Sequence, residues 1–314
     1  MARQLHEVGE FELIAAVTAG LGELPSGWLG PGDDAAIVPT PDGRVVATTD
    51  ILVERQHFRL DWSSAADVGH KAAAQNLSDI AAMGAAPTAL LVGFAAPANL
   101  EERWALEFHA ALVDEAARAG AAVVGGDVVR ADQVVVSVTA LGTLEGRLPV
   151  LRSGARPGDL LALSGPTGAS AAGLAVLRRG FTAPRAAVSA HRRPTPDYTQ
   201  GPVAALAGAH AMIDVSDGLV ADLRHIADAS EVAIDVEPTL LEVPAPVIAV
   251  SAALGGSDPL TMVLTGGEDH VLAAFFASEA DVPAGWRVVG LASAGSGVTV
   301  AGNAYAGDGG HRHF

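Results

Sequence analysis

The chain contains no cysteine, so no disulfide holds the fold, and the lack fits a reducing compartment; a cytoplasmic location is expected. Basic residues are scarce. Lys and Arg total 19 against 36 Asp and Glu, for a formal net charge of −17, and Lys71 is the only lysine. That balance argues against nucleic acid as a partner, because neutralising phosphates needs a basic surface. No stretch of about 18 consecutive apolar residues occurs, so no membrane span is expected. Met1 to Glu12 mixes charges and has no apolar signal core. Several ligand motifs are also missing. There is no Gly-x-x-x-x-Gly-Lys-Ser/Thr phosphate loop, no Gly-x-Gly-x-x-Gly after a first strand, no Gly-x-Ser-x-Gly and no His-Glu-x-x-His. A phosphate ligand would therefore be held mainly through metal ions, with help from arginine.

What the chain does have is small apolar residues and acids in turns. Half of its 314 residues are hydrophobic and 36 are glycine, which points to closely packed elements. The length suggests two domains, residues 1–147 and 148–314, with the boundary in the Gly- and Pro-rich stretch Glu145 to Pro157. Strands and helices mix without a strict βαβ alternation, which favours a two-domain α+β architecture over a doubly wound sheet.

The central element is the helix around Gln75-Asn76-Leu77-Ser78-Asp79-Ile80. Ser63 or Ser64 offers the N-cap, Val68, Ala72, Ala73, Leu77 and Ile80 recur at helical spacing, and Gly84 and Pro87 stop it. Lys71, Gln75 and Asp79 share one face. Other expected elements are a helix Phe11 to Leu24, a strand Ala35 to Val38, and a strand Val45 to Asp50. Asn99 and Glu102 read as a capping box opening a helix to Gly120. A strand Ala121 to Val124 is expected to break at Gly125-Gly126-Asp127. In the second half, Gly165 to Gly168 reads as a strand-to-helix turn in preference to a phosphate cradle, and Pro184 to Pro196 reads as irregular. Met212 to Asp214 is a strand feeding a helix that starts after Ser216.

Asp33, Asp34, Asp50, Asp79, Asp127, Asp214 and Asp217 stand at strand ends and turns, mostly beside Gly, Ser or Thr. Any one of them alone is a common turn former or cap. The repetition after apolar strands is what points to hard divalent cations, which take oxygen ligands and leave part of their shell to water and phosphate. So many carboxylates imply more than one Mg2+ and a polyanionic ligand.

In order and spacing, Gly32-Asp33-Asp34-Ala35, Thr48-Thr49-Asp50, Gln56-His57-Phe58, Asn76 to Gly84, Gly125-Gly126-Asp127, Leu151-Arg152-Ser153-Gly154, Ile213 to Leu219 and Gly266-Gly267-Glu268-Asp269 resemble the thiamine-monophosphate kinase family. That family sits in a wider group with aminoimidazole ribonucleotide synthase. The resemblance implies two α+β domains, a homodimer paired through its N-terminal halves, and ATP in a cleft between the domains. It implies ATP-dependent phosphorylation of thiamine monophosphate to thiamine diphosphate with several Mg2+ ions. It also implies roles for individual residues. Asp34, Thr48, Thr49, Asp50, Asp79, Asp127, Asp214 and Asp217 resemble metal ligands, with Asp33 less clear. Gly126, Asp127, Arg152 and Ser216 resemble ATP contacts. Asp50, Asp127 and Arg152 are the groups nearest the chemistry, and His57 and Glu268 resemble substrate contacts.

Two departures concern the substrate side. His270 and Val271 stand where the family has Tyr and an acid, and the tail lacks its Trp, leaving Tyr305 as the aromatic substitute. Two rival readings are a ring-closing synthase of the same group and a nucleotide-binding paralogue without turnover. Retention of the metal-type acids argues against the second.

Overall fold

A computed structural model of the chain describes residues 3–8, 10–21, 26, 28, 38–256, 258–305 and 309–311. The expected strand Ala35 to Val38 falls largely outside them, as do Asp33 and Asp34. The chain forms two units, Met1–Ile80 with Ala86–Gly146, and Ala81–Ala85 with Arg147–Phe314. Each is a mixed α and β structure built on its own, mostly antiparallel, sheet.

Unit 1 runs α1 (Leu5–Val8), α2 (Glu10–Thr18), β1 (Val46–Val53), α3 (Ala65–Ala82), β2 (Ala86–Ala96), α4 (Glu102–Arg118), β3 (Ala122–Arg130) and β4 (Val135–Thr143). Its sheet has the order β1-β4-β2-β3. Among the described residues its only parallel pair is β2 with β3, and α4 makes that crossover. Helix α3 starts where the sequence places it. The Ser64 hydroxyl accepts from Asp67 N at 3.2 Å and the Asp67 carboxylate accepts from Ser64 N at 3.0 Å, a reciprocal cap. Gly84, at φ +71°, turns the chain out of the helix.

α3 is buried nearly all round. Besides the apolar stripe, Lys71, Asn76 and Ser78 are each 3% exposed or less. This closeness depends on small residues. A Cβ on Gly69 would lie 2.0 Å from the Phe108 carbonyl oxygen, so α4 packs backbone against backbone there. Phe108 also stacks with Phe94 and Trp104, at centroid distances of 5.3 and 5.7 Å. Nearby, His70 Nδ1 meets the buried Glu115 carboxylate at 3.1 Å, and Arg118 also donates to it.

Unit 2 holds β5 (Leu160–Leu163), α5 (Ala169–Leu177), α6 (Arg185–Arg192), α7 (Gln200–Leu206), β6 (Ala211–Asp214), α8 (Leu219–Ser230), β7 (Val232–Val236), α9 (Ala245–Ala253), α10 (Pro259–Thr265), β8 (Leu272–Phe276), β9 (Arg287–Ala294), β10 (Gly297–Val300) and β11 (Asn303–Ala304). The sheet order is β11-β10-β7-β9-β5-β8-β6, with β7 and β10 parallel. β5, β8 and β6 are apolar on both faces because both are covered, so they show no alternation in sequence. The core of this unit also takes in Ala82, packed with Val150, Ala162, Ala204 and Met212.

Three expectations need correction, and one helix goes beyond them. α4 begins at Glu102 with Glu101 as its N-cap residue, not at Asn99. The Glu102 carboxylate is occupied by Arg3, at 2.9 and 2.7 Å, and Asn99 lies in a turn closed by Leu100 N to Pro97 O. β3 does not break at the glycine pair. A register shift between Leu90 and Leu91 absorbs one residue and the strand continues to Arg130. Gly126 is required there because its Cβ would meet Val92 O at 2.1 Å. The stretch Pro184 to Pro196 contains α6, whose Ala187, Val188 and His191 are buried beside α5; the flanking prolines end the helix without excluding it. α10 was not expected at all. It is short, capped by Asp258 accepting from Leu260 N at 2.9 Å, and opened by Pro259.

The α3–α4 contact makes a stability prediction. Gly69→Ala should cost about 2–3 kcal/mol, since the methyl group meets backbone that cannot rotate away. Denaturant unfolding measures it, and an unchanged midpoint would refute the close approach.

Candidate active site

In unit 1 the family-type acids are organised by β1 and α3. Alternation along β1 puts Thr48 and Asp50 on the side of α3, and Thr49 and Ile51 on the other. Thr48 Oγ1 donates to Asp79 Oδ2 at 2.7 Å. The Asn76 amide oxygen accepts from Asp50 N at 3.0 Å, and its Nδ2 donates to Ala72 O at 2.9 Å. A buried amide with both ends bonded fixes the height of β1 against the helix. Thr49 turns away, bonding Val138 O and Thr139 instead. His57 Nδ1 accepts from Val53 N at 3.0 Å, so its proton sits on Nε2. Gly126 and Asp127 lie on β3, and β1 and β3 are opposite edges of the sheet. Asp127 Oδ1 accepts from Val128 N, and the side chain is exposed. Thr48, Asp50, Asn76 and Asp79 are thus brought together, and Asp127 is not.

In unit 2 two loops lie side by side. The first leaves β6 at Asp214 and enters α8. One oxygen of Asp222 accepts from Ser216 N, Asp217 N and Gly218 N at 3.0, 3.1 and 3.0 Å. Burial pushes the Asp222 carboxyl up to about 7 and the charges on Asp214 and Asp217 add to the push, while the N–H donors oppose it. The second loop is Gly266 to Val271. Glu268 N donates to Ser216 O at 2.7 Å and His270 N to Val215 O at 2.9 Å, which ties the loops together. Glu268 and His270 have φ of +64° and +54°, conformations costly for residues with a Cβ. His270 Nδ1 lies 3.1 Å from Asp214 Oδ2, and both side chains are buried. The chain's tail returns here, with His311 N donating to Asp217 O at 2.9 Å.

The Gly165 to Gly168 turn is a strand-to-helix connection, as expected. Its last N–H and one in the first turn of α5 are occupied, because Asp269 accepts from Gly168 N and from Ser170 N, the latter at 2.9 Å. Burial pushes the Asp269 carboxyl up to about 6 despite those two donors. Arg152 is exposed in a single helical turn whose carbonyl accepts from Ser230 Oγ at 2.7 Å. Tyr305 is half-buried just after β11, while Asp33 and Asp34 lie outside the described residues. Among the described residues no group of three or more His, Cys, Asp or Glu gathers in a way that holds a metal by itself.

The sequence singled out neither Asp222 nor His191, and it placed Asp269 in a motif without giving it the role of shaping the loop. A signal existed for Asp222, which follows Gly218 by four residues, within reach of the orphan N–H groups at the start of α8. The others act across distances that only the fold closes.

Residues 32–144 match the AIR synthase related protein N-terminal domain, and residues 156–306 match the corresponding C-terminal domain. The chain is 50% identical to a thiamine-monophosphate kinase of Mycobacterium tuberculosis over 286 residues, 91% of this chain and 85% of that one. The chain belongs to the thiamine-monophosphate kinase family. A crystal structure of thiamine-monophosphate kinase from Stenotrophomonas maltophilia superposes with a TM-score of 0.83 at 33% identity, covering 95% of this chain and 98% of that chain. The structure of AaThiL complexed with AMPPCP and TMP superposes at 0.82 and 31% identity over the whole of both chains. In this kinase family member, burial pushes two carboxyls of unit 2, those of Asp222 and Asp269, above the ordinary range.

Asp269 has a folded-state pKa raised above the ordinary carboxylate value, so the folded protein binds the proton more tightly than the unfolded chain does. Its contribution to stability is therefore lost as pH rises from about 4 to about 6, and is level above that. The unfolding free energy of the wild type relative to Asp269→Asn should fall by about 2 kcal/mol across that window. Denaturant titrations at pH 4, 5, 6 and 7 measure it; parallel curves for the two proteins would contradict the assignment.

Proposed function

We propose that the chain transfers the γ-phosphoryl group of ATP to thiamine monophosphate, giving thiamine diphosphate and ADP. The observation that carries this reading is the likeness, over nine-tenths of the chain or more, to thiamine-monophosphate kinases, one of them complexed with AMPPCP and TMP.

The donor sets fit Mg2+. They consist of carboxylates and hydroxyls without sulfur, and they come as one or two acids at a place, as suits an ion that keeps waters and takes phosphate oxygens. In this reading Thr48, Asp50 and Asp79 of unit 1 hold ions together with Asp34, while Thr49 and Asp127, which do not share their face, serve separate ions. Asp214 and Asp217 do so in unit 2. Bound Mg2+ supplies charge neutralisation between two anionic reactants. Gly126, Asp127, Arg152 and Ser216 contact ATP. His57, Glu268 and Tyr305 contact the substrate, His57 offering Nε2–H as a donor. The attacking group is a phosphate oxygen, already ionised, so no strong general base is required. What the residues provide is in-line positioning, and Arg152 steadies the transferred group. Transfer is direct, without a phosphoenzyme.

The same reading includes a cytoplasmic homodimer. The face of the unit 1 sheet turned away from α3 exposes Val45, Ile51, Leu91 and Val129, at 50, 53, 37 and 52%. A patch of this kind on one sheet face suits pairing with a second copy.

ADP release from Mg·ATP should require thiamine monophosphate, and thiamine itself should not replace it. Asp50→Ala and Asp127→Ala should each lower turnover at least 100-fold while leaving the fold intact by circular dichroism. A near-wild-type rate in either variant would overturn the metal assignment. Ile51→Arg should convert the dimer to monomer in sedimentation, and an unchanged sedimentation coefficient would count against the proposed interface.

A further inference from the structure

Within unit 2, α6 sends one buried side chain toward the Gly266 to Val271 loop. His191 is 5% exposed, and its Nδ1 lies 3.1 Å from Glu268 Oε2 and 3.1 Å from Ser170 Oγ. Ser170 is itself 1% exposed, in the first turn of α5. Glu268 differs from both, since 30% of its side chain reaches solvent. A carboxylate only accepts hydrogen bonds, so Nδ1 must carry the proton, donated to Glu268 and shared with the serine oxygen. The backbone beneath Glu268 is pinned as well. Gly267 has no room for a Cβ, which would meet Ser216 O at 2.3 Å, Glu268 N is bonded to Ser216 O, and Asp269 is bonded to the start of α5. One carboxylate oxygen of Glu268 is therefore anchored against a buried imidazole, and the side chain still reaches the surface.

We infer that His191, supported by Ser170, is a positioning residue that fixes the Glu268 carboxylate as a recognition group for the organic cation of the phosphate acceptor. The inference rests on the proposed kinase reaction. Thiamine monophosphate carries a quaternary thiazolium and an aminopyrimidine, and ATP carries no comparable cation. A carboxylate held at one oxygen offers a fixed negative charge and a fixed acceptor for such a ring system. Held loosely, it would lose orientation entropy on each binding event. His191 acts through Glu268 and touches no reacting atom. Its loss should therefore weaken acceptor binding and leave the nucleotide alone.

The test is steady-state kinetics with Mg·ATP and thiamine monophosphate varied separately. His191→Phe keeps the ring and removes the donor; it should raise KM for thiamine monophosphate about tenfold, with KM for ATP within about twofold. His191→Asn, whose amide nitrogen takes the place of Nδ1, should recover most of the loss. Added to Glu268→Gln, the His191→Phe change should cost little more than Glu268→Gln alone, because both remove one coupled unit. An unchanged KM for thiamine monophosphate, a parallel rise for ATP, or full additivity with Glu268→Gln would each overturn the inference. If His191→Phe melts well below wild type, His191→Gln, whose amide reaches the position of Nε2, serves in its place with the same expected KM split. Failure of the unmodified chain to release ADP with thiamine monophosphate is a separate result. It removes the kinase reading itself, and the positioning role falls with it.

Discussion

Asp222 gathers three consecutive backbone N–H groups on one carboxylate oxygen, and the acidic loop of unit 2 depends on that. The start of a helix leaves N–H groups without internal partners, and a carboxylate there satisfies them while matching the helix dipole. In unit 2 this is done twice, by Asp222 at α8 and by Asp269 at α5. In both cases the anion comes from within the fold and takes up N–H groups at the entry to the helix. The groups offered outward are then side chains on the loops those acids shape, Ser216, Asp217 and Glu268. Burial opposes ionisation of both shaping acids and the hydrogen bonds favour it. Such a balance is stable only while the loops keep their geometry.

Unit 1 solves the same problem with an amide. Asn76 has no charge to desolvate, and its two ends bridge a strand N–H and a helix carbonyl. This lets a polar side chain 1% exposed hold the Asp50 backbone in place. The packing around it requires very small neighbours, hence the runs of alanine in α3 and the glycine facing α4. A larger residue at Gly69 would push α3 outward, and the Thr48 to Asp79 hydrogen bond would lengthen with it.

The sequence carried the positions of the motifs because each combines a turn former with a polar group at fixed spacing. Ser64 and Gly84 bounded α3 correctly for the same local reason. Local signals also misled. Asn99 and Glu102 have the spacing of a capping box, but Arg3, nearly a hundred positions away, takes the glutamate. Gly125 and Gly126 read as a strand end, whereas β3 accommodates one extra residue, Val124, just before them and keeps its pairing with β2. α6 was hidden by prolines that in fact bracket it. His191 could not be read as part of a site, since its relation to Glu268 exists only after α5 and α6 pack. Thr49, adjacent in sequence to two residues of the site, points to the opposite face by the alternation of the strand.

That alternation and the strand order also constrain the proposed chemistry. Asp50 and Gly126 stand in one row across the sheet, through Val138 and Val92, with Asp127 in the next row. Three inter-strand spacings separate the two edges, roughly 14 Å. A magnesium ion binds oxygen at about 2.1 Å, so within one copy no single ion touches both Asp50 and Asp127. Alternation also turns Asp127 to the face opposite Asp50, so if both acids serve the transfer, one of them serves the nucleotide of a second copy. That arrangement accounts for acids spread over several strands without one compact cluster among the described residues.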